Sequence, residues 1–185
     1  VINNDTNLDF LNGVVDEVAP RLLGCILERE LDGRLLRGRI IEVEAYDQSD
    51  AASHSYKGKT ERTAVMFGPA GHLYVYFTYG MHYCCNIVVG GEGIGAAVLI
   101  RAIDPLDGED SMTANRNGRG GKELANGPAK VCQALGIDKR LNGHDLRKSP
   151  LRLIPAAPEA KRRITATPRI GISQAKDTLW RFLYE

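Results

Sequence analysis

The sequence predicts one domain that mixes β-strands with short helices. Three observations carry this. A chain of 185 residues with 43% hydrophobic content is long enough to bury one core. Runs rich in β-branched and aromatic residues are divided by turn signals such as Asp32-Gly33 and Tyr79-Gly80, the pattern of hairpins. Two stretches, residues 14–23 and 128–135, carry apolar residues at helical spacing instead. No apolar run approaches a membrane span, and no signal peptide opens the chain. Cys25, Cys84, Cys85 and Cys132 include no CxxC pair, and Cys84 and Cys85 point to opposite faces of a strand. Neither a disulfide framework nor a metal site is expected, and a reducing compartment fits.

In chain order, Asn7 suits the cap of a short helix around Leu8 to Asn12. Val15, Val18, Leu22 and Leu23 continue at near-helical spacing, with Pro20 acceptable near a helix start, and Gly24 ends the stretch. Cys25 to Arg29 reads as a strand that pairs, across Asp32-Gly33, with a second strand from Arg37 to Tyr46. There, alternation sets Glu42, Glu44 and Tyr46 on one face and Ile41, Val43 and Ala45 on the other. The first face is either a solvated edge or a pocket wall with an acid or base beside a stacking ring. A buried carboxylate is costly unless partnered.

Residues 47–62 read as a loop that carries His54 and a basic end, Lys57, Lys59 and Arg62. Met66 to Gly71 is a turn. From Leu73 to Thr78, Tyr74, Tyr76 and Thr78 share one strand face, and Leu73, Val75 and Phe77 the other. Tyr79-Gly80 then turns the chain back into Cys84 to Val89. Tyr79 at that tip either caps the core or stands out as a stacking or wedge group for nucleic acid. Gly90 to Gly95 is a turn without the Lys-Ser/Thr of a phosphate loop. Ala96 to Ile103 reads as a buried strand whose one charge, Arg101, needs a carboxylate, Glu44 or Glu42.

Residues 104–123 read as a flexible basic loop with Arg116, Arg119 and Lys122. Asn126-Gly127-Pro128 opens a helix whose first turn, with Lys130, offers a phosphate site. Leu151 to Ile154 is a further strand, and Lys161-Arg162-Arg163 is a short basic run. The net charge of +1 conceals an asymmetry. Residues 1–50 hold 11 acids and 5 Arg, and the rest hold 12 acids and 19 Lys/Arg. The basic majority is either scattered over a wet surface or the footprint of a polyanion.

Several of these segments occur together, in one order. They are Glu44-Ala45-Tyr46, His54, Met66-Phe67-Gly68, Leu73 to Met81 and on to Asn86, Leu99 to Ala102, Asn126-Gly127-Pro128 and Pro168-Arg169-Ile170-Gly171. In this the chain resembles the alkyladenine type of 3-methyladenine DNA glycosylase, in its bacterial branch, from about Ala19 to Phe182. His82 and Cys85 depart from the animal members.

The resemblance implies an α/β domain of the α+β type, residues 1–185, around a curved, mostly antiparallel sheet with flanking helices. It implies a monofunctional N-glycosylase without metal or cofactor, monomeric and cytoplasmic at the bacterial nucleoid. Its partner would be double-stranded DNA containing damaged purines. Glu44 would activate water, held with the help of Arg101 and the backbone carbonyl of Ile170. Tyr46, His54 and Tyr76 would stack on the base, and Asn86 would discourage guanine. Tyr79 would fill the gap left by the flipped nucleotide, and Met81 and Lys130 would also contact DNA.

Two rival classes are weighed beside it. A sugar hydrolase with Glu42 and Glu44 as its carboxylate pair would hold both on one side of the sugar instead of flanking it. A module that flips damaged bases without cutting would lack the base at position 44.

Overall fold

The computed structural model describes residues 7–157 and 163–184. Lys161 and Arg162 of the basic run lie outside them. The frame is a 13-residue strand, β2 (Arg34–Tyr46), with neighbours on both edges. β1 (Ile26–Leu31) pairs with its first half. Asp32 and Gly33 join them with φ of 50° and 74°, the left-handed pair that a tight hairpin requires.

β5 (Ala97–Asp107) runs along the other edge of β2. The hairpin of β3 (Leu73–Thr78) and β4 (His82–Val88) joins β5 through β4. β6 (Leu151–Ile154) lies outside β1. The order β3-β4-β5-β2-β1-β6 is antiparallel at every step and curls into a half-barrel. β7 (Ile164–Thr167) pairs with β8 (Arg181–Tyr184), and β8 takes up the edge of β2 at Glu42–Glu44.

The helices are short: α1 (Val15–Val18), α2 (Glu109–Asn115) and α3 (Pro128–Leu135). α3 packs on β4 and β5 and buries Val131, Cys132 and Leu135 against Cys85, Ile87, Val98 and Ile100. Each large apolar side chain buried this way contributes roughly 1.5–3 kcal/mol. The α+β domain with a curved antiparallel sheet is as expected.

Three local expectations fail. Ile40, not Ile41, joins Val43 and Ala45 in the core, because the β2–β5 register slips on both sides of Glu42. An extra residue in a ladder breaks the period of two. Phe77 is 51% exposed, because β3 runs past the edge of the core before it turns.

Residues 104–123 are not a flexible loop. β5 continues to Asp107, and α2 follows with Glu109 and Asp110 in its first turn, where the helix dipole favours acids. Met112 is fully buried, and Arg116 is tied to the Leu124 and Glu123 carbonyls and to Gln133.

Candidate active site

Register places the site. Tyr74 of β3 stands opposite Asn86 of β4, Asn86 opposite Leu99 of β5, and Leu99 opposite Glu44 of β2. Directly paired residues point to one face. The row therefore floors a cavity of about 420 Å³ on the side away from the main core.

Glu44 is fully buried at the floor. Its Oε1 accepts the Ile170 backbone N–H at 2.8 Å, and its Oε2 accepts the Tyr46 hydroxyl at 2.8 Å. Arg101 Nη1 lies 3.4 Å from Oε1. A charge this deep persists only with such partners. Burial, then the charge of Glu44, pushes the Tyr46 hydroxyl far above its ordinary value, so it remains a donor. Arg101 is the residue at which β5 slips its register against Glu42 and Val43. The bulge lets one guanidinium reach both Glu44 and Glu42, the latter at 2.9 Å from Nε.

Aromatic rings form the walls. His54 meets Tyr76 edge-on, with centroids 4.6 Å apart at 79°, and its Nδ1 shares a 3.1 Å hydrogen bond with the Tyr74 hydroxyl. Burial, then Arg62, lowers the His54 pKa, which keeps the ring neutral at neutral pH. Burial, then the neighbouring Cys84, raises the Tyr76 hydroxyl, and burial pushes the Cys84 thiol up to about 11. Asn86 is fixed by donating Nδ2 to the Tyr74 carbonyl at 3.1 Å. At the rim, Tyr79 is 83% exposed with φ of 51°, followed by Gly80 at 66°. Gly80 tolerates that conformation readily, whereas Tyr79 carries strain there.

Comparison with known proteins decides the family. The model of the methylpurine-DNA glycosylase (MPG) family matches residues 9–185. The chain belongs to the methylpurine-DNA glycosylase family. Three similar relatives bear the provisional name 3-methyladenine DNA glycosylase. One, from Carboxydothermus hydrogenoformans, is 53% identical over 89% of this chain and 87% of its own. Another, from Methanoculleus marisnigri, is 50% identical over 89% and 87%. The third, from Burkholderia cenocepacia, is 47% identical over 94% and 84%.

In this glycosylase Glu44, Arg101, Ile170, Tyr46, His54, Tyr76, Asn86 and Tyr79 all line the one cavity. Met81, 68% exposed, lies beside Tyr79 in the turn but not in the lining. The Ile170 backbone N–H meets Glu44 directly, a contact beyond the water-holding role that the resemblance gave to its carbonyl. Lys130 does not stand free for a phosphate. Its Nζ lies 2.5 Å from Glu123 Oε2 and 2.7 Å from Asn126 Oδ1, so its charge is already partnered. Cys84 and Cys85 do face opposite ways, Cys84 to the cavity and Cys85 to the core.

Three contributors escaped the sequence reading. Tyr74 shares the strand face of Tyr76, a signal that was present but unused. Asp50 gave no signal, and Arg169 entered only within the segment Pro168-Arg169-Ile170-Gly171 without a role, since the two meet across 119 residues. The Arg169 guanidinium lies 4.7 Å over the Tyr46 ring, bonds the Ala45 carbonyl and forks onto Asp50. It thereby backs the ring and anchors the segment that brings Ile170 to Glu44. Among the described residues, no group of three or more His, Cys, Asp or Glu is placed to hold a metal ion. None of the described helices is long and apolar enough to cross a membrane.

Proposed function

We propose that this glycosylase flips alkylated purines of the 3-methyladenine type out of duplex DNA and hydrolyses the N-glycosidic bond with a water activated by Glu44. The observation that carries this is the buried Glu44 carboxylate at the floor of an aromatic-walled cavity. Chemistry on a base requires taking it out of the stack, at a cost of a few kcal/mol. An exposed Tyr79 ring, strained and unneeded by the core, suits the role of filling the vacated space.

The cavity suits the flipped base. Tyr46, Tyr76 and a neutral His54 offer ring faces to a cationic alkylated purine without adding like charge, and a cation over such a face gains roughly 0.5–2 kcal/mol. Asn86, locked on the cavity floor by its bond to the Tyr74 carbonyl, suits a role in discouraging guanine's exocyclic amine.

An alkylated cationic base is already a good leaving group. The remaining work is to deprotonate water and to stabilise an oxocarbenium-like sugar, and a carboxylate does both. Arg101 and the Ile170 segment orient Glu44 and the water beside it. Glu42 lies outside the cavity lining and is bonded to Arg101 and Arg181, which disfavours a carboxylate-pair hydrolase.

The test is single-turnover excision by Glu44→Gln. Loss of base release by roughly 10²- to 10⁴-fold, with affinity for the lesion duplex retained, is the expected result. Excision at the wild-type rate would remove Glu44 from the role.

A further inference from the structure

Glu42 is the carboxylate that the reaction leaves idle, yet it is wired to the one that works. Its Oε1 accepts Arg181 Nε at 2.6 Å and Arg101 Nε at 2.9 Å. Arg101 then extends Nη1 to Glu44 at 3.4 Å. Two carboxylates and two guanidiniums thus form one mostly buried cluster with no net charge.

The two Arg101 contacts are unequal. A charge-assisted N–H···O bond normally spans about 2.7–2.9 Å, and Arg prefers to fork both donors onto one carboxylate. Here the short contact goes to Glu42 and the long one to Glu44. The register slips that flank Glu42 on β2 and fall at Arg101 on β5 produce that arrangement.

The other groups around Glu44 do not substitute for Glu42. Tyr46 offers a neutral hydroxyl, and the Ile170 segment offers an N–H. Arg169, behind Tyr46, has its charge taken up by Asp50. His54 and Cys84, which also line the cavity, are neutral at neutral pH. Arg101 is therefore the cation that Glu44 faces directly, and Glu42 shares it.

We propose that Glu42 is a positioning residue for base excision, holding Arg101 back from Glu44 and offsetting its charge so that Glu44 stays basic enough to take a proton from water. This rests on the reading of Glu44 as the base. An unshared guanidinium within about 4–6 Å lowers a carboxylate's proton affinity by roughly 1–3 pH units. A less basic group takes the proton more slowly.

The test is the pH profile of single-turnover excision by Glu42→Gln, which keeps shape and an acceptor for both arginines. The plateau should fall roughly 3- to 10-fold. The acid limb should move to lower pH by roughly one unit. Affinity for the lesion duplex should hold. An unmoved limb overturns the proposal, whether or not the plateau falls, because a merely structural role predicts no such displacement.

If Glu42→Gln does not fold, Arg181→Gln serves. It leaves Glu42 to Arg101 alone and removes one positive charge, so the limb should move to higher pH. An unmoved or opposite limb overturns the proposal. If Glu44→Gln still excises, the base assignment has failed. If Glu44→Gln is dead and Glu42→Gln keeps the wild-type profile, only the role of Glu42 has failed.

Discussion

Glu28 and Glu44 sit on neighbouring strands of one sheet, 3% and 0% exposed, and each is met by arginine. Glu28 stands in a direct cross-strand row with Arg152 on β6 and Arg37 on β2, and both guanidiniums bond it. It borders no part of the 420 Å³ cavity. Glu44 has one distant guanidinium contact, two neutral donors and open space beside it. Burial of a carboxylate therefore identifies neither a base nor a tie. Short guanidinium contacts on both sides lock Glu28, whereas Glu44 meets neutral donors and an adjoining cavity, which suits the role proposed for it.

The largest expected effect tests that contrast directly. Glu44→Gln should lose base excision while its melting curve stays close to wild type. Glu28→Gln should do the reverse, keeping excision and losing stability. A variant of Glu28 that excises poorly while fully folded would break the comparison.

Tyr79→Ala carries the contrast to the rim. One aromatic–base stack is worth roughly 1–3 kcal/mol, so excision of a paired lesion should fall about 10- to 100-fold. The defect should shrink on a mispaired lesion, which flips more easily. The melting temperature should barely move, since an exposed substitution usually stays within about 0.5 kcal/mol. Equal losses on both duplexes, with a large drop in stability, would make Tyr79 a core residue.

Glu28 sharpens the other side through pH. Burial alone would raise its pKa, but Arg37 and Arg152 outweigh it and hold the carboxyl below its ordinary 4.5. A folded value below the unfolded one means stabilisation that is complete above the ordinary carboxylate range and is lost as pH falls through the folded value. At neutral pH, Glu28→Gln should cost about 1–2 kcal/mol, discounted because both guanidiniums are partly exposed. Denaturant melts should show that gap close in acid. The same gap at pH 3 and pH 7 would refute the linkage.

The smallest effect concerns His54. Its lowered pKa keeps it neutral until the pH falls below the ordinary 6.5. Protonation then puts like charge beside a cationic base. Apparent affinity for a cationic lesion should weaken several-fold more than for a neutral lesion as the pH drops through that range, by roughly 1 kcal/mol of lost ring attraction. His54→Gln should erase the difference between the two lesions. Parallel profiles in wild type would show that His54 does not sense the charge of the base.

Much of the site is legible one strand at a time. Alternation set Glu44 and Tyr46 on one face, and they share a hydrogen bond. The same rule aligned Tyr74 with Tyr76, and Tyr79-Gly80 announced a turn that presents its ring outward. Asp32-Gly33 announced the β1–β2 hairpin in the same way. Residues 104–123 were misread because polar composition hid a helix held by one buried Met112 and by Arg116. Lys130 pairs with Glu123, seven residues earlier and before the helix begins, a contact that the helix pattern does not announce.

By itself the sequence determined strands β1 to β6, their turns, the face that carries Glu44 and the turn that carries Tyr79, whereas β7 and β8 went unannounced. These depend on side-chain shape and on backbone preferences within a few residues. Only the tertiary structure decided which groups meet Glu44. The Ile170 N–H arrives from 126 residues away, and Arg169 anchors that segment by reaching back to Asp50 and Ala45. Arg101 is shared between Glu42 and Glu44 because β2 and β5 slip their register there. A register slip is settled by how two whole strands bury their faces together, and neither strand carries that information alone.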